Sequence, residues 1–135
     1  YKNKMILFGG HTDQFGDVSD LYEYNFETSK WSKLETTGIS PSPRHSHAAT
    51  LTNDESMIIF GGWDGIHCSN EIFKLDLKTL KWHFIGFGPR LCSGTLVCYH
   101  NHLFHFGGLD GQEVNNHVYD LSIPSEMKPV RKFIK

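Results

Sequence analysis

The sequence predicts an all-β protein built from repeated four-stranded units. Three glycine pairs mark the repeat, and each follows an apolar run that ends in phenylalanine: Gly9-Gly10, Gly61-Gly62 and Gly107-Gly108. An aromatic residue follows each pair at a nearly constant distance, and two repeats continue to a tryptophan: Tyr22, Phe73, Tyr119, Trp31 and Trp82. Recurrence at a period of about 50 residues indicates stacked supersecondary units rather than one continuous fold.

Each unit divides into four short strands with turn residues between them, and no segment has helical periodicity. The apolar run into the glycines is the second strand, and its continuous hydrophobicity is typical of a strand covered on both faces. The third strand alternates with period two, as from Phe73 to Leu77, which is typical of a half-buried strand. The predicted first and fourth strands are Arg44–Leu51, Arg90–Tyr99, Lys30–Glu35 and Lys81–Gly86.

The glycine pairs and the aromatic residues have complementary physical roles in this prediction. Glycine permits positive φ and lets a neighbouring backbone or ring approach where a Cβ atom would clash. The aromatic rings supply the apolar area by which one sheet packs on the next.

The composition is ordinary for a folded chain with an apolar core. The chain has 135 residues, of which 39% are hydrophobic, and a net charge of −2 gives no sign of a nucleic acid or an anionic membrane as partner. No apolar run is long enough to cross a bilayer. Because the chain starts at Tyr1 without a targeting leader, we expect a segment of a longer polypeptide.

The cysteines predict the compartment. Their number is odd and they lack C-x-x-C spacing: Cys68, Cys92 and Cys98. This pattern favours reduced thiols, and hence a cytoplasmic or nuclear protein.

Taken together, the motifs resemble the kelch repeat, whose pattern is R-x-x-H, an apolar strand, GG, a spaced Tyr or Phe, and Trp. One complete copy is present as Arg44-x-x-His47, Ile58–Gly62, Phe73 and Trp82. The segment Thr37–Arg44 is similar to the T-G-x-x-P-x-P-R linker of leucine-zipper-like regulators, host cell factor and Rab effectors.

The resemblance implies a β-propeller whose blades are four-stranded antiparallel sheets. About three blades are expected: 1–35 as a partial blade without its first strand, 44–86 as a complete blade, and 90–135 as a blade with an atypical last strand. In the third blade Ser93 replaces the histidine and Lys128 stands where tryptophan is due. Residues 124–127 interrupt the pattern, and Val130–Lys135 is predicted as a substitute outer strand.

Three blades do not close a ring, because propellers use about four to eight. An unclosed stack would expose an apolar face. The chain is therefore a segment of a longer propeller, half of a six-bladed pair, or a stack covered by another chain. We favour the first and expect the isolated segment to self-associate.

An enzyme of the copper radical oxidase type, which also uses kelch-like propellers, is the alternative function. Cys98-Tyr99-His100 has only a superficial similarity to such a site, and Cys68 beside His67 lacks a visibly placed base. Histidine pairs with i, i+2 spacing, His45 with His47 and His100 with His102, offer two metal ligands where a site needs three or four. We therefore expect no catalysis, no metal and no cofactor.

The resemblance implies that partners dock on loops joining the second and third strands and on links between blades. Those segments are 11–19, 64–69, 110–115, 36–43 and 86–89. The candidate partner-binding residues are His11, Asp13, Phe15, Trp63, Asp64, Ile66, His67, Phe87, Asp110, Gln112, Arg44 and Arg90. Each arginine either clamps a partner carboxylate or holds an inter-blade link, and recurrence in register favours the structural role.

The function expected from this resemblance is a non-enzymatic scaffold for protein–protein interaction. Substrate recognition for a cullin-type ubiquitin ligase, a small-GTPase effector and a cytoskeletal adaptor are the uses that the resemblance implies.

Overall fold

A computed structural model describes residues 1–122 and 129–132, and its regular elements are all strands, which confirms the all-β prediction. No described segment is a helix that is long and apolar enough to cross a membrane. The strands are β1 (Lys4–Thr12), β2 (Gly16–Asn25), β3 (Lys30–Leu34), β4 (Thr37–Gly38), β5 (Ala48–Leu51), β6 (Ser56–Phe60), β7 (Glu71–Asp76), β8 (Lys81–Phe87), β9 (Thr95–Tyr99), β10 (His102–Leu109), β11 (Val114–Asp120) and β12 (Pro129–Lys132).

The strands form three sheets that do not close into a ring. Sheet I has the order β1-β2-β3, sheet II the order β4-β8-β7-β6-β5, and sheet III the order β12-β11-β10-β9. All neighbours are antiparallel except β4, a short piece of the link after sheet I that pairs parallel with β8. Sheet II therefore has one strand more than expected, because the link covers its edge, where unpaired backbone groups would otherwise be exposed.

The first strands of sheets II and III start later than predicted, at Ala48 and Thr95 rather than at the arginines. In sheet II the reason is that the backbone of Arg44 makes hydrogen bonds to the neighbouring sheet I. Its carbonyl accepts the Gly10 N–H at 2.9 Å, and its own N–H donates to Val18 O at 3.2 Å. Residues 124–127 and Lys128 lie outside the described residues, and a strand overlapping the predicted 130–135 is present as β12, paired with β11.

Two apolar clusters hold neighbouring sheets together. Between sheets I and II lie Phe8, Leu21, Met57, Ile59, Phe73, Leu75, Leu77 and Trp82. Between sheets II and III lie Ala48, Ile58, Phe60, Ile72, Leu91, Leu96, Leu103, Tyr119 and Leu121. Burying one such large side chain contributes about 1.5–3 kcal/mol. Strand β6 is buried along its whole length because its alternate residues enter both clusters.

Burial on both faces, predicted for all three second strands, is found only in sheet II. Met5 and Leu7 of β1 and Phe106 of β10 are exposed, since no described sheet covers the outer faces of sheets I and III. For the same reason Trp31 of β3 is half exposed, and it does not serve as the inter-sheet anchor that was predicted.

The glycine pairs lie at the seams between sheets. A Cβ atom on Gly61, whose φ is +66°, would collide with the carbonyl oxygen of Leu91 in the link to sheet III. The second glycine of that pair donates its N–H to the same oxygen at 2.9 Å. The pair Gly9-Gly10 is arranged in the same way. A Cβ atom on Gly9 would lie 2.8 Å from the carbonyl oxygen of Arg44, and Gly10 donates its N–H to that oxygen. Close backbone approach, predicted from the sequence, therefore occurs at both described seams.

The burial of His105 and the partial burial of His47 predict how stability depends on pH. Burial lowers the pKa of each from 6.5 to about 4, assisted at His47 by the positive charge of Arg44. Nδ1 of each ring is buried without a hydrogen-bond partner among the described residues, so the protonated ring is disfavoured in the folded state. The unfolded chain binds these protons first, and folding stability therefore falls as pH drops from 6.5 towards 4.

Each of these histidines should contribute up to about 1.4 kcal/mol of lost stability per pH unit in that window. Urea unfolding of the protein and of its His105→Gln variant, measured at several pH values, checks this. The variant should lose part of the slope whatever its absolute stability. Identical slopes would show that His105 is protonated in the folded protein as readily as in the unfolded chain.

Candidate binding face at the loop end of the sheets

The turns after the second strands and the links into the first strands meet at one end of the three sheets. We call this end the loop face, and it consists of 11–17, 61–70, 110–113, 42–47 and 87–94. Isolated bridges join link to loop within sheets II and III, pairing His45 with Trp63 and Cys92 with Leu109. The loops are thus held on a rigid scaffold, which is the usual arrangement for residues that carry specificity.

The segment 11–19, predicted as a loop, is mostly strand. Strand β1 continues to Thr12, whose hydroxyl accepts the Phe15 N–H at 3.0 Å and donates to the Gly16 carbonyl at 3.2 Å. These bonds close a short hairpin turn and leave the Phe15 ring exposed at its tip, with Asp13 beside it. Residues 114 and 115, also predicted as loop, belong to β11.

Arg44 does not belong to the partner-contacting set, because it is fully buried. Its guanidinium donates to Ser42, to the Gly61 carbonyl at 3.0 Å, to Ser69 Oγ and to Glu71 Oε2 at 2.6 Å. All of these acceptors lie in sheet II or in the link leading to it. The side chain fixes the link and has no surface for a partner.

Arg90 is not the structural equivalent of Arg44, although both lie at the same distance before their glycine pairs. Ala48 pairs with Phe60 across the first hairpin of sheet II, and Thr95 pairs with Phe106 in sheet III, which makes the second hairpin one residue shorter. Counting back from these pairs places Leu91, which is buried, at the position of Arg44. Arg90 is displaced to the surface, where it donates one bond, of 3.2 Å, to the Cys68 carbonyl.

Three predicted residues, Arg90, Asp110 and Gln112, are brought together around one cavity of about 490 Å³ between the link into sheet III and the β10–β11 turn. Asp110 Oδ1 accepts the N–H groups of Glu113 and Gln112 at 2.9 Å, and these bonds lower the pKa of Asp110. The cavity therefore presents a cation, an anion and an amide. Its remaining lining is Pro89 and Gly111, which lie in the predicted docking segments 86–89 and 110–115, and Leu91 and Tyr119, which do not lie in a predicted docking segment.

The loop of sheet II holds four more predicted residues. Asp64 Oδ1 accepts the N–H groups of Ile66 and His67 at 3.0 Å, and its other oxygen lies 2.9 Å from His67 Nδ1. Burial alone would raise the pKa of Asp64, but these partners together outweigh it and lower the pKa. Asp64 thus shapes the turn, Ile66 is exposed at its tip, and Trp63 is half buried.

Phe87 ends β8 at the same face. More than half of it is exposed, and its ring packs edge to face on Phe84 with 4.9 Å between the centroids.

The two junctions between sheets place equivalent residues in contact. Nδ1 of His45, in the link into sheet II, lies 2.7 Å from Asp17 Oδ1 of sheet I, and His11 Nδ1 lies at the same distance from that oxygen. The strand and bridge pairs make Cys68 the counterpart of Asp17 and Cys92 the counterpart of His45.

Cys68 and Cys92 form a disulfide with 5.5 Å between their Cα atoms. The prediction of reduced thiols is therefore wrong for this pair, and these two cysteines no longer favour a cytoplasmic or nuclear location. Cys98 remains a free thiol.

Neither histidine pair considered from the sequence converges on a shared site. The His47 ring packs edge to face on Phe8, away from the Asp17 contact of His45. His100 lies in a turn against Tyr99, and Nδ1 of His102 lies 3.4 Å from Asp120 Oδ2. Asp17 is not among the candidate residues predicted from the sequence, since only strand pairing places it opposite His11.

Comparison with known proteins agrees with this architecture. The family model described as the KLHDC2/KLHL20/DRC7 Kelch-repeats domain matches residues 1–127. Kelch domain-containing protein 3 of Rattus norvegicus is 33% identical over 127 residues, covering 85% of this chain and 32% of that protein.

Two further relatives have different names. The Leucine-zipper-like transcriptional regulator 1 homolog of Drosophila melanogaster is 27% identical over 87% of this chain and 13% of its own length. Acyl-CoA-binding domain-containing protein 4 of Arabidopsis thaliana is 33% identical over 58% of this chain and 12% of its own length. The chain spans about a third or less of the relatives that it matches.

Proposed function

Because the chain belongs to the kelch-repeat family, whose members generally take part in protein interactions, we propose that its loop face binds a protein partner without catalysis. The observation that carries the proposal is the cavity around Arg90, Asp110 and Gln112. Phe87, which is exposed, ends β8 shortly before Arg90 in the chain. A concave site with a few converging polar groups is the usual form of a binding site.

The chemistry of this site indicates the kind of contact that it makes. Arg90 donates one hydrogen bond, to the Cys68 carbonyl, among the described residues, so its planar fork retains donors for a carboxylate of the partner. The ring of Phe87 supplies an apolar anchor of the type that dominates protein interfaces. We propose that a partner segment with a carboxylate next to an apolar side chain occupies this part of the loop face.

Among the uses implied by the family, we propose substrate recognition for a cullin-type ubiquitin ligase as the first to test. A GTPase or cytoskeletal adaptor is the competing use. Affinity purification of the full-length protein from its own cells separates them, because a ligase receptor retains a cullin scaffold and an adaptor retains a GTPase or a cytoskeletal protein.

Phe87→Ala and Arg90→Ala should each weaken binding of the identified partner by about tenfold or more, since interface anchors contribute 1–2 kcal/mol or more when truncated. The dissociation constant, measured by calorimetry with the purified partner, is the readout. Phe26→Ala is the matched control, because Phe26 is 55% exposed against 56% for Phe87 and lies in the β2–β3 turn at the opposite end of the sheets.

Trp63→Ala completes the series of variants. We expect it to weaken the partner while the fold is retained. Unchanged affinity in the Phe87 and Arg90 variants, or an equal loss in the Phe26 variant, would move the binding site away from the loop face. Unfolding of the Trp63 variant would assign that ring to the core.

A further inference from the structure

One cluster on the loop face has no role in the function proposed above. His11 and Asp17 face each other across β1 and β2, and His45 arrives from the link into sheet II. Each imidazole places Nδ1 at 2.7 Å from the same carboxylate oxygen, and the three ligand atoms all lie within 4.8 Å of one another. The cluster is complete only when sheets I and II are packed together.

We propose that His11, Asp17 and His45 bind one zinc ion, with water in the fourth position. Two imidazoles and a carboxylate are ligands that suit a borderline divalent ion such as zinc, and open zinc sites use three protein ligands with one free position. The site binds metal at the seam between two sheets, and no reaction is assigned to it.

Zinc binding requires the three ligand atoms to change their spacing. Zinc lies about 2.0–2.2 Å from nitrogen and oxygen ligands, so tetrahedral donors stand about 3.3 Å apart. The two contacts of 2.7 Å must therefore open by about 0.6 Å, and the Nδ1 atoms of His11 and His45, which lie within 4.8 Å of each other, must come to the same spacing of about 3.3 Å. The exposed His11 ring has room to move.

Zinc replaces the shared hydrogen bonds of the cluster. In each neutral imidazole the Nδ1 lone pair binds the ion, and the ring proton is carried on Nε2. The ion adds two positive charges against the one negative charge of Asp17. The competing interpretation is that the three side chains link sheets I and II by hydrogen bonds without a metal. They would then correspond to the disulfide at the junction between sheets II and III.

Zinc titration of the metal-free purified protein at neutral pH, followed by calorimetry, tests the proposal. The protein should bind one equivalent in this site, and His11→Ala and His45→Ala should each weaken that affinity by at least about tenfold, because even outer-shell partners of metal ligands are worth 10–100-fold. Zinc should also raise the melting temperature of the unsubstituted protein, and a chelator should reverse the shift.

His67→Ala is the matched control. The His67 side chain is 52% exposed against 57% for His11, and its Nδ1 also lies next to a carboxylate, that of Asp64. Among the described residues, however, no second imidazole joins His67 and Asp64 in a cluster of three ligands. The control should keep the zinc affinity, and circular dichroism should show that all three variants are folded.

Cobalt titration separates this site from the free thiol. A four-coordinate site of nitrogen and oxygen ligands gives visible absorption without a thiolate charge-transfer band. Such a band would assign the metal to Cys98 and overturn the proposal. Failure to bind stoichiometric zinc would overturn it too, as would unchanged affinity in both ligand variants or an equal loss in the His67 control. None of these outcomes bears on the Phe87 and Arg90 test of partner binding.

Discussion

Trp82→Ala should lower the free energy of unfolding by about 3–5 kcal/mol, the usual cost of truncating a buried aromatic residue. Only 2% of Trp82 is exposed, and its ring meets Phe8 of sheet I edge to face, with 5.2 Å between the centroids. The substitution would leave a cavity at the seam, and the cavity adds to the lost burial of the ring. Urea unfolding of the variant measures the change.

The chain provides its own control for this prediction. Trp31 pairs with Tyr24 as Trp82 pairs with Leu75, so the two tryptophans hold the same place in successive sheets. Trp31 is 50% exposed, because no described sheet packs on it. Trp31→Ala should therefore cost much less than Trp82→Ala. Equal losses would indicate that burial against a neighbouring sheet is not what the tryptophan contributes.

Arg44→Met should lower the free energy of unfolding by about 2–4 kcal/mol, the second largest loss among the substitutions considered. Methionine fills much of the space, but it leaves the Gly61 carbonyl and Ser69 without the donor that they share. Glu71 keeps some contact with water, since about a third of its side chain is exposed, which places the cost below that of a fully enclosed ion pair.

Arg90→Met is the paired measurement, because the sequence treats the two arginines alike and the structure does not. Arg90 is exposed and makes one hydrogen bond, so its replacement should change stability by about 0.5 kcal/mol or less. Arg44→Lys should be intermediate, since an ammonium keeps the charge but not the planar fork. If Arg90→Met were as destabilising as Arg44→Met, the structural equivalence suggested by spacing would be restored.

The two junctions explain why some site residues were predictable and others were not. Candidates such as Phe15, Ile66 and Phe87 follow from loop composition, because an apolar residue in a turn stands out in the sequence, and all three are exposed on the loop face. Asp17 gives no such signal. It becomes significant only through the register that places it opposite His11 and through the packing that brings in His45.

The disulfide shows the same limit. Cys68 and Cys92 are 24 residues apart, with no spacing motif between them. Cys92 lies in the link into sheet III, which runs back past the loop of sheet II that holds Cys68. The two residues meet only because the sheets are stacked. Sequence spacing therefore favoured free thiols, whereas the fold joins the two residues.

The sequence alone determined the all-β class, the repeat and the close backbone approach at the glycine pairs, because alternation within a strand and the need for a missing Cβ are local properties of the chain. Tertiary structure alone decided which arginine is buried, which tryptophan is covered, and which histidines meet a carboxylate. These outcomes depend on how one sheet lies against the next. A hairpin shorter by one residue is enough to move Arg90 from the seam to the surface.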